Sequence, residues 1–307
     1  MAGRMSKLNS ETCRSTKWQS GVQLNRLTTF RIGGCPVLYG APYDYVELGE
    51  MLSDCRERSL PGRIMGGGSN LLVDDGELPF AVIHICAPGF DWIEQSGPAS
   101  IRAGAGVRLS RLLIHCRNDG LSGLEFLAGI PGTVGGALAG NAGAWGSSIG
   151  ERLVRAWVLD QDGNKVEKSG SQIGFGYRQA SFNGDVIAEA ELVLERSTPE
   201  LVAKLIQHYM TQKAERHPMG SSNAGCVFKN PAGAGAGKLL DRCGLKGRRV
   251  GGAEVSRLHA NFICNVASAS SRDVSELIET MRRAVLENFD VRLEMEIRHW
   301  SSNQKAA

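Results

Sequence analysis

The sequence has no run of 18 consecutive apolar residues, no apolar signal-peptide segment near its start and no Cys-x-x-Cys pair. The first two absences predict no membrane span and no secretory signal, and the third argues against a metal centre built on paired cysteines. There is also no basic stripe, and the formal net charge is only +3, which argues against a dedicated nucleic-acid binder. The eight cysteines are widely spaced, so we expect reduced thiols and a cytoplasmic protein.

Glycine, in contrast, is abundant, with 39 of 307 residues against a usual share of about 7%. It has no Gly-X-Y period and clusters in loops beside apolar segments, so it indicates local requirements of the backbone. Such requirements are positive φ angles, or main chain that approaches a ligand without an intervening Cβ. Each loop alone is typical of a tight turn. Together, the loops at 66–70, 104–106 and 129–144 predict main-chain N–H groups around a large polyanion such as a dinucleotide.

Two common nucleotide-binding motifs do not account for these glycines. Gly104-Ala105-Gly106 follows an expected strand and opens an expected helix, but Leu109 stands where the Rossmann motif has its third glycine. The stretch 233–238 imitates a P-loop, but Ala232 replaces its first glycine and Leu239 replaces the Ser or Thr that holds Mg²⁺. We therefore reject both motifs.

Hydrophobic periodicity predicts a mixed α and β chain. Amphipathic helices are expected around 48–55, 109–116, 198–209, 238–243 and 274–285. Strands are expected at 80–85, 100–103, 154–159, 165–168, 188–194, 260–265 and 291–297. The strand at 188–194 alternates apolar residues with glutamates and is predicted to be half-buried. Thr198-Pro199-Glu200 has the composition of a helix start, and we place a domain boundary there.

Motifs over residues 20–300 resemble, in order, those of the UDP-N-acetylenolpyruvoylglucosamine reductase family. In the first half they are 29–34 (TFRIGG), 67–72 (GGSNLL), 129–136 (GIPGTVGG) and 141–144 (NAGA). In the second half they are 177–178 (YR), 223–231 (NAGCVFKNP), 251–256 (GGAEVS), 259–262 (HANF) and 293–298 (LEMEIR). The short segment between Arg178 and the helix near 198 is similar to the shorter subtype of the family.

The resemblance implies an α+β fold: a two-lobed FAD-binding domain of the vanillyl-alcohol-oxidase/PCMH type, then a smaller α+β substrate-binding domain. The expected organisation is a polar leader at 1–20, an FAD-binding domain at 21–198 with lobes at about 21–90 and 91–198, and the substrate domain at 199–307. FAD would be held without a covalent bond. The implied cofactor-binding residues are Gly66, Gly67, Gly68, Ser69, Asn70, Gly129, Ile130, Pro131, Gly132, Thr133, Gly135, Asn141, Ala142 and Gly143.

The implied reaction moves a hydride from NADPH, through FAD, to the enolpyruvyl ether of UDP-N-acetylglucosamine. The product would be UDP-N-acetylmuramate, a peptidoglycan precursor used in cell wall biogenesis, cell shape and cell division. Hydride addition at the terminal vinyl carbon leaves negative charge on the neighbouring carbon and its carboxylate, so the site needs a cation and a proton source. The resemblance implies no metal.

Three catalytic residues are implied by the resemblance: Arg178, Cys226 and Glu296. Arg178 would hold the carboxylate with its planar guanidinium. Glu296 would face the same carboxylate, so we expect a raised pKa, and Glu294 is a second candidate on the same face of the expected strand. Cys226 stands where many family members have Ser. Its thiol is protonated at neutral pH and would give the substrate carbon its proton, at the cost of sensitivity to oxidation.

The implied substrate-binding residues are Tyr177, Lys229, Asn230 and Asn261. His259 fits a substrate contact and an ordinary core or loop position equally well, and the pattern assigns no role to Trp145 or Trp300. Two other functions stay open: an alcohol-oxidising flavoenzyme, which would lack the set Arg178, Cys226 and Glu296, and a flavin-binding protein without catalysis. Nothing in the sequence predicts the oligomeric state.

Overall fold

The computed structural model describes residues 18–86 and 88–303, so residues 1–17 of the predicted leader lie outside it. In the described part there are six α-helices: α1 (Tyr45–Glu57), α2 (Leu109–Asn118), α3 (Val134–Ala139), α4 (Pro199–Arg216), α5 (Ala236–Arg242) and α6 (Ser271–Phe289). The strands are β1 (Cys35–Gly40), β2 (Gly62–Met65), β3 (Leu71–Val73), β4 (Glu77–His84), β5 (Ile93–Gly97), β6 (Ser100–Gly104), β7 (Leu121–Ser122), β8 (Gly143–Ala144), β9 (Ser147–Ser148), β10 (Leu153–Leu159), β11 (Lys165–Ser169), β12 (Phe175–Gly176), β13 (Gln179–Ala180), β14 (Val186–Val193), β15 (Glu195–Arg196), β16 (Arg249–Val250), β17 (Ala253–Val255), β18 (Ile263–Asn265) and β19 (Arg298–Trp300). No helix in these ranges is long and apolar enough to cross a membrane.

A parallel three-stranded sheet, in the order β1-β4-β2, forms the first lobe. Helix α1 starts where the Asp44 side chain accepts a hydrogen bond from the N–H of Glu47, and it buries Leu48, Met51 and Cys55 as predicted. Ligands of parallel sheets bind beyond the carboxyl ends of the strands. The loop at 66–70 follows β2 directly and therefore lies at that edge.

The second lobe is a five-stranded antiparallel sheet in the order β11-β10-β14-β6-β5. The prediction of a half-buried strand at 188–194 is wrong, because Glu189 and Glu191 of β14 are buried too. Glu189 forms ion pairs with Arg102 and Lys165, and the Lys165 pair measures 3.1 Å. A carboxylate without such partners would be costly to bury. The paired cations therefore let this strand carry glutamates inside the fold.

The C-terminal unit packs α5 and α6 against the small sheet β16-β17-β18. The predicted face of α6, including Val274, Leu277 and Met281, is buried in its core. Phe30 and Ile32, which precede β1, belong to the same core. The C-terminal unit therefore includes a segment from the start of the chain, which no local pattern predicts.

The predicted final strand at 291–297 is wrong. This segment has only an isolated bridge, between Phe228 and Met295, and the last strand is β19. β19 pairs in parallel with β3 of the first half, with Trp300 opposite Val73. The partner strand is more than 200 residues away in the sequence, so the register of the C-terminal end is set by a long-range contact.

Helix α4 follows the domain boundary that we place at residue 198. It begins as predicted, with the Thr198 side chain accepting from the N–H of Leu201 and Pro199 in the first turn. Its residues Ile206 and Tyr209 pack against the core of the first half, and α4 contacts α2. The boundary itself stays a prediction.

Candidate active site

Two glycine-rich loops meet at the edge of the parallel sheet: the first glycine loop, residues 66–70, and the second glycine loop, residues 129–133. A Cβ on Gly67 would lie 2.8 Å from the Cα of Gly132, and a Cβ on Gly66 would lie 2.5 Å from Oγ1 of Thr133. Contacts this short exclude a side chain at either glycine. Main chain therefore packs directly on main chain at Gly67 and Gly132, whereas the close neighbour of Gly66 is the Thr133 side chain. The two loops are near enough to present N–H groups to one ligand.

Other glycines of these loops are required by the protein itself. Gly68 has φ +62°, and a Cβ there would lie 2.4 Å from the carbonyl oxygen of Leu27. The glycines of the 104–106 loop are similar, since a Cβ on Gly104 would lie 2.3 Å from the carbonyl oxygen of Phe90. Gly68 and Gly104 therefore make room for neighbouring backbone. The predicted contact of Gly68 with the cofactor stays a prediction.

Asn141, a predicted cofactor residue, is buried and has φ +42°. Its side-chain amide donates to the carbonyl of Gly176 at 2.9 Å, and its side-chain oxygen accepts from the N–H of Gly150 at 3.1 Å. Asn141 therefore holds the short hairpin β12–β13 next to the 141–144 segment.

That hairpin presents Arg178 to the candidate site. Arg178 lies in its tight turn with φ +57°, a left-handed conformation that is uncommon for residues other than glycine. Its Nη1 donates to the carbonyl of Gly143 at 2.7 Å, and its Nε lies 2.8 Å from Oε1 of Glu296. The strained turn is thus stabilised by contacts with two distant segments.

Glu296 and Glu294 have different surroundings, although residues two positions apart in a strand would lie on the same face. Glu296 is largely buried beside Arg178, whereas Glu294 is exposed and pairs with Lys229 at 2.5 Å. Burial raises the pKa of Glu296, while the charges of Arg178 and Lys229 oppose the rise. The structure therefore separates the two glutamates: Glu296 faces Arg178, and Glu294 faces solvent.

Cys226 lies beside the Arg178–Glu296 ion pair and is half-buried. Burial and the Glu296 charge raise the pKa of its thiol to about 12, although Arg178 and Lys213 act in the opposite direction. The thiol is therefore protonated at neutral pH. Peroxide reacts with the thiolate, so the environment of Cys226 reduces the sensitivity to oxidation that the sequence predicts. Arg178, Cys226 and Glu296, the three residues predicted to be catalytic, therefore lie together in one cluster, here called the predicted catalytic set.

The four predicted substrate residues make contacts that differ from one to the next. The Tyr177 ring is 54% exposed, and its hydroxyl accepts from the N–H of Asn230 at 3.4 Å. The Asn230 side chain accepts from the N–H of Ala236. Asn261 is buried; its side chain accepts from the N–H of Phe228 at 3.0 Å and donates to the Phe228 carbonyl at 2.8 Å. The two asparagines thus hold protein backbone; Tyr177 and Asn230 are exposed, and Lys229 is partly buried.

Lys213 is a site residue that the sequence reasoning missed. It is 6% exposed, and among the residues that the structure describes no carboxylate pairs with its ammonium group. Its Nζ lies over the Trp145 ring, 5.3 Å from the centroid. Burial is the main cause that lowers the pKa of Lys213 to about 8; Cys226 opposes this shift, and the Arg178 charge contributes to it. The available signal was helical spacing, since Lys213 continues the apolar face of α4 four residues after Tyr209.

The structure also shows the contacts of three residues to which the sequence assigns no definite role. Trp300 is buried, with its ring edge-on to Phe80, and serves packing. Trp145 is 40% exposed and packs on Tyr209 of α4. His259 accepts the N–H of Asn261 with its Nδ1 at 3.1 Å, and burial lowers its pKa. His259 therefore fits the second interpretation, an ordinary core or loop position, where its ring supports the backbone at Asn261.

The chain matches two family models. Residues 36–169 match the FAD binding domain, and residues 217–300 match the C-terminal domain of UDP-N-acetylenolpyruvoylglucosamine reductase. These matches confirm the predicted α+β fold with an FAD-binding domain followed by a C-terminal domain.

Similar proteins align along nearly the whole chain. The UDP-N-acetylenolpyruvoylglucosamine reductase of Pelobacter propionicus is 39% identical over 276 residues, which are 90% of this chain and 92% of that protein. The protein of the same name from Moorella thermoacetica is 41% identical over 278 residues, 90% of this chain and 91% of its own. The crystal structure of UDP-N-acetylenolpyruvylglucosamine reductase from Thermus caldophilus superimposes with a TM-score of 0.80 at 34% identity, and covers 92% of this chain and 100% of its own.

Proposed function

The chain belongs to the UDP-N-acetylenolpyruvoylglucosamine reductase family, an FAD-dependent group of peptidoglycan precursor synthesis, and we propose how its residues carry out that reaction. In the proposal, NADPH is the reductant and the enolpyruvyl ether of UDP-N-acetylglucosamine is converted to UDP-N-acetylmuramate. The observation that carries the proposal is the meeting of Arg178, Cys226 and Glu296, from three distant segments, in one largely buried cluster.

We propose that the first and second glycine loops hold FAD. The fit rests on the close packing of the two loops at Gly67 and Gly132, which brings two glycine-rich stretches of main chain together at one edge of the sheet. Ser69 supports the arrangement, since its Oγ donates to the carbonyl of Pro131 at 2.9 Å. When bound, the flavin would supply hydride transfer from NADPH to the enolpyruvyl carbon. The side chains would then bind the substrate carboxylate, stabilise the negative charge and supply the proton.

In the proposed mechanism, Arg178 and Glu296 bind the carboxylate of the enolpyruvyl group. The guanidinium provides a fixed positive charge with directed N–H groups, which suits a planar carboxylate. Burial already raises the pKa of Glu296, and the negative charge of a substrate carboxylate beside it would raise that pKa further. In the proposal, Glu296 takes up a proton when the substrate binds and donates a hydrogen bond where a second negative charge would repel. As negative charge grows on the carbon next to the carboxylate, both groups stabilise it.

Cys226 then gives its thiol proton to that carbon. The raised pKa keeps the proton on sulfur until the carbon becomes basic. The thiolate that remains lies beside Arg178 and Lys213, whose positive charges stabilise it until solvent returns the proton. The thiol is a stronger acid than the serine hydroxyl that stands here in many relatives, so the change from Ser to Cys keeps the role.

We further propose that Tyr177 and Lys229 contact the sugar nucleotide from the open side, while Asn230 and Asn261 position the backbone beneath it. The FAD-binding domain is proposed as residues 21–198 and the substrate-binding domain as 199–307. The unpaired cysteines of the described residues fit a cytoplasmic location.

The proposal is tested with purified protein and its visible absorbance. The expected result is a flavin spectrum that is lost on mixing with NADPH without oxygen and restored by the enolpyruvyl sugar nucleotide. Simple alcohols and sugars serve as the control for an alcohol-oxidising flavoenzyme. A flavin that NADPH does not reduce, or that stays reduced with the sugar nucleotide, would contradict the proposal.

A further inference from the structure

The segment at 28–33, here called the strap, lies between the first glycine loop and the loop that carries Cys226. It precedes β1 in the sequence, yet its Phe30 and Ile32 are buried in the core of the C-terminal unit. The carbonyl of Phe30 also accepts a hydrogen bond from the side chain of Asn265 at 3.1 Å. The strap is therefore anchored in the substrate side of the molecule while its chain continues into the flavin side.

Thr29 forms the closest link between the two sides. Its backbone N–H donates to the carbonyl of Gly68 in the first glycine loop at 3.1 Å. Its hydroxyl donates to the carbonyl of Asn223 at 2.7 Å, a contact between residues 194 positions apart. One residue thus contacts both loops with two different groups.

The Asn223 contact holds the backbone that leads directly to the thiol. The Asn223 side chain accepts from the N–H of Gly225 at 2.9 Å, which closes a turn immediately before Cys226. Gly225 has φ +82° with no atom within 4 Å of where a Cβ would lie, so packing alone does not fix this turn. On the other side of Cys226, the N–H of Val227 donates to the carbonyl of Asn261 at 2.8 Å. The backbone around the thiol is therefore held by Thr29 before it and by Asn261 after it.

We propose that Thr29 is a positioning residue, which sets the location of the Cys226 thiol relative to the first glycine loop. The inference rests on the proposed function, in which hydride and proton reach adjacent carbons of one substrate from these two sides. Loss of the Thr29 hydroxyl would remove the contact at Asn223 itself, while the Asn265 N–H still donates to the Ser222 carbonyl at 2.8 Å and Cys264 still contacts the Ser221 hydroxyl at 3.3 Å. A displacement of about 1 Å at a reacting group costs up to about 100-fold in rate, so the proton transfer is the step that should suffer.

The test compares Thr29→Val, which keeps the shape and removes the hydroxyl, with Thr29→Ser, which keeps the hydroxyl. Thr28→Val is the matched control, because the Thr28 hydroxyl donates only within the strap, to the carbonyl of Ile32 at 2.8 Å. Each holoenzyme is reduced by NADPH and then mixed with the enolpyruvyl sugar nucleotide, in H2O and in D2O. Flavin affinity and the exchange of amide hydrogens in 221–227 are measured on the same samples.

We expect Thr29→Val to slow flavin reoxidation by about tenfold, with a larger solvent isotope effect and faster exchange of the 221–227 amides. NADPH-driven reduction and flavin affinity should change by less than about twofold, since the backbone contact to Gly68 is kept. Thr29→Ser should restore the wild-type rate and isotope effect. Thr28→Val should lower thermal stability and leave the isotope effect unchanged.

Equal rates and equal isotope effects in Thr29→Val and wild type would overturn the inference. An equal loss in Thr29→Val and Thr29→Ser, or a loss of flavin affinity together with both half-reactions, would also overturn it. A wild-type enzyme that reduces no enolpyruvyl sugar would instead refute the proposed function. Exchange of the 221–227 amides in Thr29→Val against Thr29→Ser then decides whether Thr29 holds that loop.

Discussion

The flavin side and the substrate side of the proposed site are built in different ways. On the flavin side, Gly67 and Gly132 bring main chain against main chain, and few side chains take part. On the substrate side, Arg178, Cys226 and Glu296 come from a strained hairpin turn, a loop and the C-terminal segment. A backbone site depends on space and is damaged by adding atoms. A side-chain site depends on charge and protons, and is damaged by removing them.

The sharpest way to separate the two sides is Cys226→Ala. If the thiol supplies the proton, reoxidation of the flavin by the enolpyruvyl sugar should slow by about 10²–10⁴-fold. Reduction by NADPH needs no proton at that carbon and should stay near the wild-type rate. Rapid-mixing absorbance measures both steps, and Cys226→Ser should keep substantial activity. An Ala variant with undiminished turnover would mean that the thiol only fills space.

The flavin side should respond to Gly67→Ala. The added methyl group would lie 2.8 Å from the Cα of Gly132, so the two glycine loops must separate. Overpacking costs about 1–3 kcal/mol, and we expect FAD to bind about 10- to 100-fold more weakly. Flavin fluorescence titration of the apoprotein measures this. Gly49→Ala in α1 is the control, since its nearest contact would be an ordinary 3.6 Å; equal flavin affinities in both variants would contradict the backbone account.

Arg178→Lys keeps a positive charge and removes the planar pair of N–H groups. We expect enolpyruvyl reduction to slow by about tenfold or more, with flavin reduction by NADPH unchanged. The rates of the two half-reactions measure the effect. If both steps slowed equally, Arg178 would not belong to the substrate side, and the division between the two sides would be lost.

The smallest expected effect concerns Lys213, which lies where the two sides meet. Its pKa falls from its usual value to about 8 in the folded protein, so folding is disfavoured below that pH by the buried charge. As the pH rises above about 8, the folded protein loses this proton before the unfolded chain does. The stability of the wild type should therefore increase with pH relative to Lys213→Met, by at most about 3 kcal/mol. Denaturant unfolding of both proteins without flavin measures the difference, and parallel pH profiles would contradict it.

The same division explains which features the sequence predicts. Local patterns predicted α1, α2, α6 and the start of α4 correctly, because capping residues and helical periodicity act over short distances. Clustered glycine by itself predicts a site built from backbone. The sequence could not show why each glycine is needed: Gly67 faces Gly132 of the second glycine loop, whereas Gly104 faces the carbonyl of Phe90.

The wrong predictions concern residues whose surroundings are set by partners distant in the sequence. Glu189 looked solvent-facing, but Arg102 and Lys165 come from other strands to neutralise it. The last strand lies at Arg298–Trp300 and not at the predicted 291–297, because residues 298–300 pair with β3. Lys213 has no local feature that predicts its burial beside Trp145 apart from its place on the apolar face of α4. Such features depend on tertiary contacts, which single-sequence periodicity does not contain.

The central claim is that the thiol of Cys226 faces the carbon next to a carboxylate that Arg178 and Glu296 bind. The most direct test is a crystal structure of the oxidised holoenzyme with the enolpyruvyl sugar nucleotide, since without NADPH the complex cannot react. We predict the carboxylate against Arg178 and Glu296, with the sulfur of Cys226 about 3–3.5 Å from the adjacent carbon and the vinyl carbon facing the glycine loops. A carboxylate bound elsewhere, or a thiol turned away from that carbon, would contradict the account.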